Sequence, residues 1–572
     1  MKKTTALLLM LFSTMASAAD LEQQRETYQK ISQLLAISGS RPTLDLVNAM
    51  KGELKDYPLL PYVEYRITKV PGNLTLQNIR AFQQQYPHFP FNGDLNKQWQ
   101  EQFAQPKPPQ SDNRSAEIRD LVQNPQNLPI FAANAAVTAE NTQAVINTFP
   151  AFVKSLKETS VDAKDPFGIY QQWADKFRLN QTQITQWRSA LTWQLFDSKI
   201  RALQIWRDNQ IKTLKEDRQT ERRLRIAIRE QKSLKEWLDL LTTEAKQKDE
   251  WQYWMAKDLA KSKEEKKSRQ ILTALAKNRG FYAMLACQEL GVEYRPEMAQ
   301  VAVSTPIVTQ SNKQTAQSAS QSPPKPKAKS TVAERFHGEL ARIVELRYLG
   351  ETVNVNREWK ALLDRVDFND KLALSQYAQD QQWFDLGVEA TIQAKAWDYI
   401  SLRLPNAYLN WFDLHLKNTK INRTFAMAIA RQESAWRPAV TSSANARGLM
   451  QLLPSTAKDT AQKFQLPYNR ESQLLEPFNN IMLGTAHLQE LYEQYGDNRI
   501  LIASAYNAGP HRVKQWLARA GGKLSMAEFV ATIPFYETRN YVQNVLTYDY
   551  YYQILQNKSL QKFTKAEYDR MY

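Results

Sequence analysis

The strongest constraint on the fold is a helical hydrophobic period that persists from residue 20 to about residue 294, with only short polar interruptions. Trp251, Trp254, Met255 and Leu259 recur at i, i+3, i+4 and i+8, the spacing of one helix face. After the Lys- and Glu-rich run 261–267, read as a solvated turn, Ile271, Leu272 and Leu275 resume the period. Gly280 is expected to cap that helix, and Gly291 to end a short one over 281–290. Helix, short turn and helix in succession predict stacked helical hairpins, an α-solenoid or superhelix. No fixed repeat period assigns it to a named repeat class. Sixteen glycines in 572 residues leave few tight turns, which argues against a strand-and-hairpin protein. The expected fold class is all-α.

A chain of 572 residues is too long for one core and divides by composition. Residues 1–19 read as a secretory signal peptide: Lys2 and Lys3, an apolar run from Ala6 to Phe12, then Ala16-Ser17-Ala18-Ala19. The run falls far short of the ~20 apolar residues that span a membrane. No Cys follows it for lipid attachment. An exported, soluble chain with no transmembrane segment is expected. Residues 20–300 form the superhelical region, in which Pro106-Lys107-Pro108-Pro109 is an exposed loop. Residues 301–331 lack acidic and aromatic side chains and carry Pro323-Pro324-Lys325-Pro326-Lys327. Such a stretch cannot bury enough apolar surface to offset its ordering entropy, so a flexible linker is expected. Helical periodicity returns over 332–403, read as a small helical linker domain, and 404–572 is a distinct C-terminal domain.

The formal charge is +16, from 75 Lys and Arg against 59 Asp and Glu. Nucleic acid is the usual partner of a basic chain, but export argues against it. Anionic lipid and a carboxylate-rich cell wall remain. The linker lysines Lys313, Lys325, Lys327 and Lys329 are candidate wall contacts, although a solvated spacer is the simpler reading. The single Cys287 excludes internal disulfides, a Cys-rich zinc site and an iron–sulfur cluster. His88, His337, His415, His487 and His511 form no close pair suited to zinc. Neither a Gly-rich phosphate loop nor a Gly-x-Ser-x-Gly elbow occurs. No metal and no cofactor is expected.

In Ala430-Arg431-Gln432-Glu433-Ser434-Ala435-Trp436, Glu433 shares a helix face with Phe425 and Ile429, at i+8 and i+4. That face is otherwise apolar, and a carboxylate on it is costly unless paired or protonated. Desolvation raises its pKa, and an acid still protonated near neutral pH is what general acid catalysis needs. A structural ion pair with Arg437 or Arg447 fits the same stretch equally well. Downstream, the polar loop Thr441-Ser442-Ser443-Ala444-Asn445-Ala446-Arg447 leads into Gly448-Leu449-Met450-Gln451. Then come Ala505-Tyr506-Asn507-Ala508-Gly509-Pro510, where Gly509 and Pro510 separate two helices, and Ile533-Pro534-Phe535-Tyr536-Glu537-Thr538-Arg539-Asn540-Tyr541. On their own, Ser442 fits a loop or cap serine, Gln451 an amide holding the loop, Tyr506 a packed helix-end tyrosine, and Glu537 a salt bridge with Arg539 or Arg512.

These blocks, in this order, resemble the catalytic domain of the soluble lytic murein transglycosylases, with its goose-type lysozyme-like fold. The pattern Glu-Ser-x-Trp, Gly-Leu-Met-Gln and Ala-Tyr-Asn-Ala-Gly-Pro is highly specific. The helical region, with Trp251, Tyr253, Trp254 and the Gly280-Phe281-Tyr282 turn, is more weakly similar to the ring-shaped superhelix of the large periplasmic members. The resemblance implies an N-terminal α-superhelix, a small helical linker domain and a C-terminal lysozyme-like catalytic domain. It implies that Glu433 is the sole catalytic acid/base. Ser442 then lies near the substrate's acetamido group, Gln451 touches the glycan, Tyr506 faces the catalytic carboxyl, and Glu537 lies near the subsite for the muramoyl peptide. Asn445 stands where the family commonly has glycine, and Asn tolerates left-handed backbone. Arg447 replaces a small residue and Leu453 a common Met.

Ordinary glycosidases flank the bond with two carboxylates, but substrate-assisted ones need fewer. The resemblance implies that the acetamido group of N-acetylmuramic acid supplies the missing assistance, and that the sugar's own C6 hydroxyl closes a 1,6-anhydro ring. The expected enzyme is a polysaccharide lyase cleaving the β-1,4 bond to N-acetylglucosamine, exolytic because a ring of helices confines the strand. Its partners are peptidoglycan glycan strands, with other cell-wall synthesis or degradation proteins as candidates. Water as nucleophile would make it a lysozyme-type hydrolase. A non-catalytic wall-binding scaffold is the reading from a different class, since solenoids commonly serve as binding surfaces.

Overall fold

The computed structural model describes the backbone of residues 2–103, 115–300 and 331–572, and side chains over 20–102, 115–300 and 331–572. The side chains of the leader 1–19, the 106–109 loop and nearly all of the 301–331 linker lie outside the described residues. Thr331 opens the next helix, Val332–Arg335, in a capping box with Glu334. Among the described residues all regular structure is helical, and two isolated bridges, Thr441 to Arg447 and Arg447 to Leu452, take the place of strands.

The periodic segments form helices where spacing places them. Helix Asp249–Lys261 buries Trp251 and Trp254, and helix Phe281–Leu290 ends at a left-handed Gly291. Gly280 departs from expectation. Helix Glu265–Leu275 is already capped by Ala276, and Gly280 is instead the N-cap of the following helix, with φ +105°. In that conformation its N–H donates to the Tyr294 hydroxyl at 3.0 Å, while Asn278 in the intervening turn donates to Asp249 at 2.9 Å.

The chain forms two compact units. One comprises Met1–Lys107, Met298–His415 and Glu433–Gly484. Its core joins Tyr28, Tyr57, Tyr62 and Val63 to Ile343, Leu346, Trp359 and Leu363. Glu345 and Glu358 are among the carboxylates buried within this unit. Glu345 accepts from Arg25 (2.8 Å) and from the Tyr57 hydroxyl (3.0 Å). Glu358 accepts from Arg342 (2.7 Å) and from the Tyr62 hydroxyl (3.0 Å). An arginine and a tyrosine on each acid offset its desolvation. Burial nevertheless holds the Glu358 pKa above the usual carboxylate range, against the pull of Arg342.

The other unit comprises Pro108–Glu297, Leu416–Gln432 and Thr485–Tyr572. Helices Ala139–Ser155 and Gln181–Gln194 meet through Phe149 stacked on Trp187 at 4.0 Å. Helix Tyr536–Leu555 is fastened to Tyr294: the Tyr550 hydroxyl donates to the Tyr294 carbonyl at 2.7 Å, and the Tyr294 and Tyr551 hydroxyls lie 3.0 Å apart. Arg499 is buried between Asp549 and Glu567. Residues 404–572 therefore contribute to both units.

Candidate active site

Helix Arg423–Ser434 carries the candidate acid in its last turn. Phe425 through Ala430 are all buried, so this helix is enclosed on every side rather than amphipathic. Glu433 is half-buried. Two left-handed residues follow, Ala435 at φ +52° and Trp436 at φ +68°. A bulky residue in that region is uncommon. Trp436 is held there by complete burial against Tyr408 and Phe412, ring centroids 6.0 and 6.1 Å away. Asn445 (+66°) and Gln451 (+47°) repeat the conformation a few residues on. Four such non-glycine residues within one short segment concentrate backbone strain here, as functional sites commonly do.

The loop after the helix is locked by its own side chains. The Ser442 hydroxyl accepts from the Ala446 N–H at 3.0 Å, and the Ser442 N–H donates to the Ala446 carbonyl at 2.8 Å. Gln451 donates to the carbonyls of Gly448 (2.8 Å) and Val440 (3.2 Å). Arg447 donates to Asn445 through two nitrogens, at 3.0 and 3.1 Å, and pairs with Glu471 at 2.7 Å. Arg437 donates to the Ser434 carbonyl at 3.0 Å. The two arginines weighed as partners of Glu433 thus have these other roles. Asn445 adopts the left-handed turn expected of it.

In the other unit, Tyr506 is half-buried in the last turn of helix Arg499–Ala508, its ring centroid 5.4 Å from that of His487. Asn507 accepts from the Thr538 hydroxyl at 2.6 Å, joining this helix end to the start of helix Tyr536–Leu555. Glu537 is exposed in that first turn, where the helix dipole favours an anion. Among the described residues it makes no ion pair with Arg539 or Arg512. Arg539 donates to the Ile533 carbonyl at 2.8 Å, and Arg512 lies over the Phe535 ring at 4.4 Å. Glu433, Ser442 and Gln451 therefore fall within one unit, and Tyr506 and Glu537 within the other. A half-buried carboxyl beside a rigid polar loop has the makings of a proton donor.

Two groups stand outside the motifs read from the sequence. Asn480, fully buried, accepts from the Met450 N–H (2.7 Å) and donates to the carbonyls of Leu474 (2.8 Å) and Arg447 (2.9 Å). It pins the Gly448-Leu449-Met450 turn, and nothing in a lone asparagine on helix Pro477–Tyr495 announces that role. The second group had a legible signal. Arg218, Arg222, Arg225 and Arg229 recur at i, i+4, i+7 and i+11 along helix Asp217–Arg229, one basic stripe on one face.

The all-helical fold, the strained helix end and the locked loop define a class that comparison with known proteins specifies. Residues 411–528 match the Transglycosylase SLT domain, 333–400 the soluble lytic murein transglycosylase L domain, and 532–561 the soluble lytic transglycosylase helical domain. A putative soluble lytic murein transglycosylase of Haemophilus influenzae is 48% identical over 80% of this chain and 72% of its own length. The soluble lytic murein transglycosylase of Salmonella typhimurium is 31% identical over 99% of this chain and 97% of its own. The crystal structure of the 70 kDa soluble lytic transglycosylase of Escherichia coli superposes with a TM-score of 0.77 at 29% identity, covering 96% of this chain and all of that one. The chain belongs to the soluble lytic murein transglycosylases, and it is an enzyme of the all-α fold class, with the superhelical and lysozyme-like parts of that family.

Proposed function

We propose that this enzyme cleaves the β-1,4 bond between N-acetylmuramic acid and N-acetylglucosamine in peptidoglycan, with Glu433 as its one acid/base. The observation that carries the reading is the placement of Glu433: half-buried, ending an enclosed helix, at the start of the strained segment. The protonated carboxyl gives its proton to the departing glycosidic oxygen. The acetamido group of the muramoyl sugar then assists at the cationic carbon. The Glu433 carboxylate next takes the proton of the C6 hydroxyl as that oxygen closes the 1,6-anhydro ring. Ser442 and Gln451, held rigid by the loop, are the assigned glycan contacts, Tyr506 orients the acid, and Glu537 faces the peptide-bearing subsite.

A structure similar to this chain is that of a 70 kDa soluble lytic transglycosylase in complex with bulgecin A. Action in the periplasm after removal of residues 1–19, exolytic attack, and the domain limits 20–300, 301–331, 332–403 and 404–572 complete the proposal. Glu433→Gln should lower release of muropeptides from purified sacculi by ~10²–10⁴-fold, the usual share of a general acid. Its melting temperature should stay unchanged. A variant as active as the parent would remove Glu433 from the mechanism.

A further inference from the structure

A cavity of about 830 Å³ lies wholly within the unit that contains helices Asp217–Arg229 and Tyr536–Leu555. Seven cationic side chains and two carboxylates line it. Both carboxylates are committed: Asp197 to Arg222 at 2.6 Å and Glu221 to Lys248 at 2.6 Å. Arg225 is held bidentately by Glu250, at 2.7 and 3.1 Å. Four arginines remain, Arg218, Arg229, Arg519 and Arg539, and none of them makes an ion pair among the described residues.

Arg539 is the telling one. It is only 5% exposed, and its hydrogen bond goes to the Ile533 carbonyl rather than to an acid. Burial, aided by the charge of Arg225, pushes its pKa down to about 10. An uncompensated buried cation costs several kcal/mol of desolvation. Arginines at i, i+4 on one helix also repel one another. Among the described residues these costs are offset only in part, by Asp197 on Arg222, by Glu250 on Arg225 and by Glu250 and the Tyr536 ring near Arg539. Both are relieved by an anion, and guanidinium groups fit carboxylate and phosphate in forked pairs. The volume is that of a small-molecule site.

We propose that this cavity is an anion-binding site for a small ligand bearing two or more carboxylate or phosphate groups, anchored by Arg229, Arg519 and Arg539. The inference stands on these arginines and does not depend on the role of Glu433.

Binding of triglutamate and of inorganic tripolyphosphate to the full-length chain, followed by calorimetry at low salt, tests it. At least one probe should bind with one-to-one stoichiometry, and its affinity should fall as salt rises. Arg229→Gln with Arg519→Gln should weaken that binding about tenfold or more. Neither side chain is buried, so this variant keeps the test open if Arg539→Met does not fold. Arg295→Gln, outside the cavity, and Glu433→Gln should bind as the parent does. Tighter triglutamate binding identifies a carboxylate ligand, and tighter tripolyphosphate binding a phosphate one. No binding of either probe to the parent, or unchanged binding in the double variant, overturns the proposal.

Discussion

Gly448 and His415 show how much one residue can decide in this fold. At Gly448, φ is +77°, and a Cβ would sit 1.9 Å from the Leu474 carbonyl oxygen and 2.4 Å from the Asn480 amide nitrogen. Neither neighbour can retreat, because Asn480 is already bonded to Leu474 and Arg447. Gly448→Ala should therefore cost ~1–3 kcal/mol from backbone strain alone, with further loss from the clash. A melting curve unchanged from the parent would refute this. His415 stacks edge-on against Phe478 at 4.7 Å, and its buried Nε2 has no hydrogen-bond partner among the described residues. Burial lowers its pKa. A group whose folded pKa is depressed stabilises the fold above its unfolded value, and that stability is lost as pH falls. Thermal stability should accordingly drop between about pH 7 and about pH 5, the range of histidine titration. In His415→Phe that part of the slope should vanish, and parallel slopes would contradict the assignment.

At the scale of elements, helices were legible where the apolar period was long, and their joints were less so. The Trp251 helix and its neighbours follow from spacing, and Gly291 and Gly509 mark chain turns as expected. Spacing alone does not place Gly280, because a glycine with positive φ serves either the end of one helix or the start of the next, and the bond from its N–H to the distant Tyr294 decides which. The candidate loop was legible as a block but not in its mechanics. That Gln451 and Ser442 bond to their own loop, and that Asn480 clamps it from another helix, are tertiary facts without a local pattern. The buried pair between helices His337–Tyr348 and Thr352–Asp364 is of the same kind. Removing one member of such a pair strands the other, so Arg342→Met should destabilise the fold by ~3–5 kcal/mol, measurable by denaturant titration. Arg342→Met with Glu358→Leu should recover much of that loss. A single variant as stable as the parent would show that the pair contributes little.

At the scale of the whole chain, most of the sequence builds helical framework, and the proposed chemistry falls to a short stretch after Gln432. The resemblance is readable because the backbone of that stretch makes exacting demands. The acid ends a helix, the following residues take left-handed backbone, and Gly448 has no room for a side chain. The arginine-lined cavity is not legible in the sequence, because a basic stripe on a helix looks like a solvated face until the cations of Arg519 and Arg539 are in place. The central claim concerns where the attacking oxygen comes from. Digestion of purified sacculi in water enriched in oxygen-18, with products weighed by mass spectrometry, decides it most directly. If the C6 hydroxyl closes the ring, muramoyl ends will be anhydro and free of the heavy isotope. Reducing ends that carry oxygen-18 would mean that water attacks, and that this enzyme is a hydrolase.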